Sequence, residues 1–113
     1  MKIIFFETTS LEKQYLRKQL KGHSVEFVSE PLTEENAHKA KGYQVVSVFI
    51  YSHVSKETLA KMPKLKFIAA RSTGFDHIDM KECKKRKITV TNVPRYGENT
   101  VAEHTFAMLL AIS

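Results

Sequence analysis

The sequence predicts a doubly wound α/β domain, an open parallel sheet held between two layers of helices. Three observations predict it. Five short runs carry strand character, and most are near-continuous apolar stretches, as expected of strands covered on both faces. They recur about every 20 residues, which leaves room for one helix between each pair, the rhythm of βαβ units. Each intervening segment also opens on a side chain suited to capping a helix.

The first strand is read at 2–6, KIIFF. Thr9 with Glu12 then makes a capping box, in which each side chain satisfies an orphan backbone N–H at a helix start. Along that helix Leu11, Tyr15, Leu16 and Leu20 are expected to face the sheet, and Gly22 to end it in a left-handed cap. The second strand is SVEFV, 24–28. Thr33 ahead of Glu34 and Glu35 predicts a second helix whose acidic first turn complements the helix dipole, closed by Gly42 in the same way. The third strand is VVSVFI, 45–50, followed by KETLAKM capped by Ser55. The fourth is KFIAA, 66–70, followed by MKECKKRK capped by Asp79; the fifth is ITVT, 88–91. Thr100 with Glu103 makes a second capping box that opens a fifth helix. Such a chain suits the flavodoxin-like strand order 2-1-3-4-5, with ligands at the carboxyl ends of the strands. The loops that could hold one are 7–10, 51–54, 71–79 and 92–100.

Size and composition narrow the classes. The 113 residues suit one domain with one core. Apolar residues make up 42% and charged residues 27%, ordinary for a globular protein. No stretch approaches the roughly 18 apolar residues of a membrane helix, so no membrane partner is expected. The net charge of +6 raises the question of nucleic acid. Its cations, however, are dispersed over KQYLRKQLK, KAK, KMPKLK and KECKKRK, as solvated helix faces would be, and no nucleic-acid partner is expected. Cys83 is the only cysteine. It excludes an internal disulfide, is read as an inert semi-buried helix residue, and fits a cytoplasmic location.

The loops restrict the chemistry. ETTSLE, after the first strand, lacks the glycines that let backbone N–H groups cradle a phosphate, and no GxGxxG or GxxxxGK[ST] occurs. A flavodoxin or a nucleotide held by these residues alone is therefore not expected. Nor is a phosphate-accepting receiver domain, since Glu7-Thr8 and Tyr51-Ser52 stand where its acidic residues would be. In RSTGFDHID, 71–79, Ser72, Thr73 and Gly74 suit a concave run of backbone donors that binds a carboxylate, with Gly74 free to take positive φ and Arg71 and His77 adding charge. The same stretch reads equally well as a glycine turn, with Asp76 as turn former and Asp79 as helix cap. Further on, Pro94 and Gly97 set a turn, Tyr96 offers a hydroxyl, and Asn99 and Thr100 sit where helix donors point outward. His104 has no carboxylate or nucleophile spaced to work with it and reads as a packing residue. The histidines and Cys83 lack metal-ligand spacing, so no metal is expected.

RSTGFDHIDM followed by ITVTNVPRYGENTVAEHTFAMLLAIS resembles the substrate domain of the D-isomer-specific 2-hydroxyacid dehydrogenases. The resemblance implies a substrate domain over 1–99, with 100–113 beginning the helix that leads to an NAD-binding Rossmann domain. It implies an NAD-dependent enzyme that interconverts 2-keto acids and D-2-hydroxy acids by hydride transfer, usually as a cytoplasmic dimer. Ser72, Thr73 and Gly74 would supply main-chain donors to the substrate carboxylate, and Tyr51, Ser52 and Tyr96 would line the same pocket. Asn99 and Thr100 would approach the nicotinamide, and helix 100–113 would lie near a homodimer interface. The glycine-rich fingerprint and the catalytic arginine, glutamate and histidine belong to a part of the family outside this stretch. No catalytic residue is therefore assigned here, NAD is expected to be held mainly elsewhere, and the 113-residue chain alone is expected to be inactive. The contrasting expectation is a non-enzymatic carboxylate-binding or regulatory α/β module.

Overall fold

A computed structural model describes residues 1–92, and in them five parallel strands lie in the order β2-β1-β3-β4-β5. β1 is Lys2–Phe5, β2 Ser24–Phe27, β3 Val45–Val48, β4 Phe67–Ala70 and β5 Thr89–Thr91. One row runs straight across the sheet, from Glu26 through Ile4, Val46 and Ile68 to Val90. This is the predicted flavodoxin-like order.

The pleat divides the core in two. Ile4, Val46, Val48, Ile68 and Ala70 meet Ala37, Ala40, Leu59, Met62 and Cys83 on one face. On the other, Ile3, Phe5, Val45, Phe67 and Ala69 meet Leu16 and Leu20. β3 and β4 are buried at every residue, and β1 at all but Lys2. That two-sided burial, worth roughly 1.5–3 kcal/mol for each large aliphatic side chain, is why these strands read as apolar runs. β2 sits at an edge, so SVEF alternates between exposed and half-buried.

The helices are shorter than the sequence suggests: α1 is Ser10–Gln19, α2 Lys56–Ala60 and α3 Met80–Lys85. Their caps are as expected. Thr9 N–H donates to Glu12 Oε1 at 3.0 Å, and Glu12 N–H donates back to Thr9 Oγ1 at 3.2 Å. Ser55 Oγ accepts from the Thr58 amide and Asp79 Oδ1 from the Glu82 amide, each cap contributing about 1 kcal/mol. Arg86, at the end of α3, donates to the Leu59 and Met62 carbonyls, so a cation closes the carboxyl end of α2.

Three expectations are corrected. Leu11 does not face the sheet; it is 77% exposed. At 100° per residue it stands 140° around the helix from Leu16, on the solvent side. The helix expected after Thr33 is reduced to a 3-10 turn, Ala37–Ala40. Asn36 explains this: its side chain donates to the Pro31 carbonyl and accepts from the Thr33 amide, which holds the segment in a turn. Gly42, behind that turn, is not left-handed, whereas Gly22 is, at φ 94°. The fifth helix lies outside the described residues. Among those described, no helix is long and apolar enough to cross a membrane.

Cys83 is buried against Ile88 and Met62 in the first core, and burial pushes its thiol up to about 11, so it is inert at neutral pH. The two leucines of α1 give a direct test of its orientation. Leu16→Ala should lower unfolding stability by about 2–5 kcal/mol and Leu11→Ala by less than about 0.5 kcal/mol. Urea denaturation of both variants checks this, and equal losses would mean that α1 is rotated from the position described.

Candidate functional site

In a sheet of this order the winding reverses between β1 and β3, and the crevice outside the strand ends there is where ligands bind. Here the chain fills it with its own side chain. Glu7, directly after β1, is left-handed at φ 60°. Its carboxylate accepts from the amides of Phe49 at 2.9 Å and Tyr51 at 3.0 Å, and from the Ser52 hydroxyl at 2.5 Å. Those amides bind a carboxylate instead of extending a ladder, so β3 stops at Val48, short of the predicted Ile50.

Beneath Glu7 lies Arg71, 2% exposed although it begins the loop after β4. Its Nη2 donates to the carbonyls of Phe6 at 2.5 Å and Glu7 at 2.9 Å, and its Nη1 donates to Ser47 Oγ at 2.9 Å. The Ser47 hydroxyl in turn donates a hydrogen bond to the Ala69 carbonyl at 2.9 Å. Glu12 Oε2 stands 3.8 Å from Nε. Burial lowers the guanidinium pKa, the carboxylates of Glu12 and Glu7 oppose that, and the group stays charged. Arg71 is thus turned into the protein and does not supply the charge expected of it at the loop rim.

Beside this network Ser72, Thr73 and Gly74 line an open hollow of about 360 Å³ with Ile50, Asp76 and His77. No hydrogen bond among the described residues uses the amides of Ser72, Thr73 or Gly74 as donors. The predicted concavity differs in one respect. Gly74 does not take positive φ; the Ser72 hydroxyl donates to the Gly74 carbonyl at 3.0 Å and turns the loop instead. Adding a Cβ at Gly74 would meet nothing within 4 Å, so neither backbone conformation nor crowding requires glycine there. His77 does not add charge either. Burial lowers its pKa, Glu7 and Asp76 oppose and His53 reinforces the shift, and the ring is neutral at pH 7. Asp76 is exposed at the rim, where solvent screens its charge.

Of the other expected site residues, Tyr51 is near but points outward, 74% exposed. Ser52 is buried, and its hydroxyl is spent on Glu7 and on the Leu32 amide. It supports the hollow from behind without lining it. Tyr96, Asn99 and Thr100 lie outside the described residues. The loop that leads to them starts against the hollow, since Asn92 Nδ2 donates to the Thr73 carbonyl at 2.9 Å. The loop after β1 has no glycine, and the carboxylate it carries, that of Glu7, is bound to the Phe49 and Tyr51 amides.

Residues 3–112 match the family described as D-isomer specific 2-hydroxyacid dehydrogenase, catalytic domain, and the chain belongs to that family. It is 32% identical over 117 aligned residues to D-lactate dehydrogenase of Escherichia coli (strain K12), covering 100% of this chain and 36% of the relative. It is 33% identical over 94 residues to an aromatic 2-oxoacid reductase of Clostridium sporogenes, covering 81% and 28%. Among solved structures, D-lactate dehydrogenase from Aquifex aeolicus, complexed with NAD and lactic acid, superposes with a TM-score of 0.79 at 38% identity. That match covers 96% of this chain and 33% of the other. The chain spans about a third of the length of the relatives it matches.

Glu7 and Ile50 were not singled out from the sequence as parts of the site. Glu7 carried a legible signal, an acidic residue at the switch point where glycine is usual; Ile50 was absorbed into the apolar run of its strand. Arg71→Met should leave the Phe6 and Glu7 carbonyls and the Ser47 hydroxyl without their buried donor. A loss of about 3 kcal/mol is expected in urea denaturation. Unchanged stability would show that these groups find other partners.

Proposed function

We propose that residues 1–99 form the substrate lobe of an NAD-dependent D-2-hydroxyacid dehydrogenase, and that the hollow at 72–77 receives the carboxylate of a small 2-keto acid. The observation that carries this reading is a hollow beyond the carboxyl end of β4 lined by Ser72, Thr73 and Gly74, whose three amides are uncommitted among the described residues. Backbone donors bind a carboxylate without a cation, which suits a loop whose arginine is committed inward. Membership of the dehydrogenase family supplies the substrate class. Ile50 gives the hollow one apolar wall, suited to the carbon chain of the acid.

In this reading NAD is held mainly by residues beyond 1–92, with Asn99 and Thr100 on the nicotinamide side, and residues 100–113 lead toward that cofactor lobe. Hydride transfer requires two lobes to close over the substrate. A preparation of residues 1–113 is therefore expected to oxidise no NADH with pyruvate. Oxamate, an isostere of pyruvate, is the probe for the hollow. Titrated into the labelled chain, it should shift the amide resonances of Ser72, Thr73, Gly74 and Ile50. Saturating oxamate with no change at 72–74 would overturn the reading.

We also propose self-association through residues 100–113, because Val101, Phe106, Met108, Leu109, Leu110 and Ile112 leave hardly any polar face on a helix there. Sedimentation equilibrium should show a dimer that dissociates on Leu109→Glu; a monomer at high concentration would count against it.

A further inference from the structure

The residue that joins the two walls of the hollow is Glu7, and none of the chemistry proposed above uses it. It is held through every polar group that it has. Its N–H donates to the Glu30 carbonyl at 3.1 Å, and its own carbonyl accepts from Arg71. Both carboxylate oxygens are occupied, Oε1 by the Tyr51 amide and Oε2 by the Phe49 amide and the Ser52 hydroxyl. All this is done from φ 60°, a conformation that disfavours a side chain with a Cβ by about 1–2 kcal/mol. A glycine would take the same backbone shape without that penalty, so a glutamate persists here through what its carboxylate binds.

The two walls meet through this residue. The carboxylate fixes 49–52, the turn that presents Ile50 to the hollow. The carbonyl fixes Arg71, the residue immediately before Ser72, Thr73 and Gly74. A displacement of Glu7 is therefore passed to both sides of the hollow together. The crevice at the switch point is in effect an anion site that the chain occupies itself, and the site for an external acid is displaced one strand along, toward β4.

We infer that Glu7 is a positioning residue: its carboxylate, bound to the Phe49 and Tyr51 amides, sets the separation between Ile50 and the 72–74 amides and thereby the affinity for a carboxylate ligand. The inference rests on the reading of 72–74 as a carboxylate site. Glutamine is the discriminating substitution. It keeps the size of the side chain, but its NH₂ must face one of the two amide N–H groups, donor against donor, so one wall is released. Glu7→Gly keeps the left-handed backbone and removes the carboxylate altogether.

The test is oxamate affinity and resonance position in four proteins: the unaltered chain, Glu7→Gln, Glu7→Gly and Leu16→Ala. Leu16 is buried in the core beneath α1 and lines neither wall of the hollow, so it controls for lost stability. Glu7→Gln and Glu7→Gly are expected to bind oxamate about tenfold more weakly, the effect of ~1.4 kcal/mol. In both, the amide resonances of 72–74 should move even without oxamate. Leu16→Ala should lose stability while keeping its affinity and those resonances. Equal affinity in the unaltered chain and both Glu7 variants would overturn the inference while leaving the carboxylate site intact. An affinity loss in Leu16→Ala as large as in the Glu7 variants would also overturn it, by reducing Glu7 to a stability effect. No response at 72–74 in the unaltered chain would overturn both the site and the inference.

Discussion

The carboxyl edge of a parallel sheet is a difficult surface, because carbonyls left over at the strand ends must find donors or face water. Arg71 solves this for three strands at once. Its buried guanidinium takes the carbonyls of Phe6 and Glu7 just past β1 and reaches β3 through the Ser47 hydroxyl, while its own backbone continues β4. A desolvated charge of this kind is tolerated because both terminal nitrogens are hydrogen-bonded and two carboxylates lie near it. Everything built above it, the Glu7 turn, the 49–52 loop and the 72–77 hollow, takes its position from that tie.

The use of Arg71 as structure bears on how the hollow would hold an acid in the proposed reading. A guanidinium at the rim would grip any anion, including phosphate and sulfate, and would attract water. Backbone amides beside a neutral imidazole give a weaker and more directional field. They reward a planar carboxylate whose oxygens fit the spacing of the donors. Relatives with different preferred acids, a D-lactate dehydrogenase and an aromatic 2-oxoacid reductase, match this same stretch. A carboxylate clasp made from backbone, as proposed for 72–74, would be indifferent to the rest of the ligand.

Much of this was legible beforehand, for identifiable reasons. The strands were readable because burial on both faces leaves only apolar residues in β3 and β4. The caps were readable because Thr9, Ser55 and Asp79 act on amides three residues away, within the reach of a local pattern. What escaped was non-local. Arg71 looked like a rim cation, and nothing near it in the sequence announced that its acceptors are residues 6, 7 and 47. The Thr33 helix failed because Asn36 bonded backward to Pro31, a choice that helix propensity alone does not resolve. Leu11 was counted as core because leucine is apolar, although its angular position on α1 excluded it. Of the hollow, the 72–74 wall was visible from its glycine and hydroxyls; the Ile50 wall is held by Glu7, whose partners at 49, 51 and 52 lie far from it in sequence.

The strand order carries a consequence for how the chain comes into being. β1 precedes the other four strands in the chain, yet it ends up between β2 and β3. Its neighbour β2 leaves the ribosome soon after it, but its second neighbour is separated from it by some forty intervening positions, and the arginine that seals its end comes later still. At translation speeds of about 5–20 residues per second, the opening apolar strand therefore spends several seconds with one flank uncovered. During that interval a nascent IIFF segment exposes an apolar flank of the kind that chaperones cover.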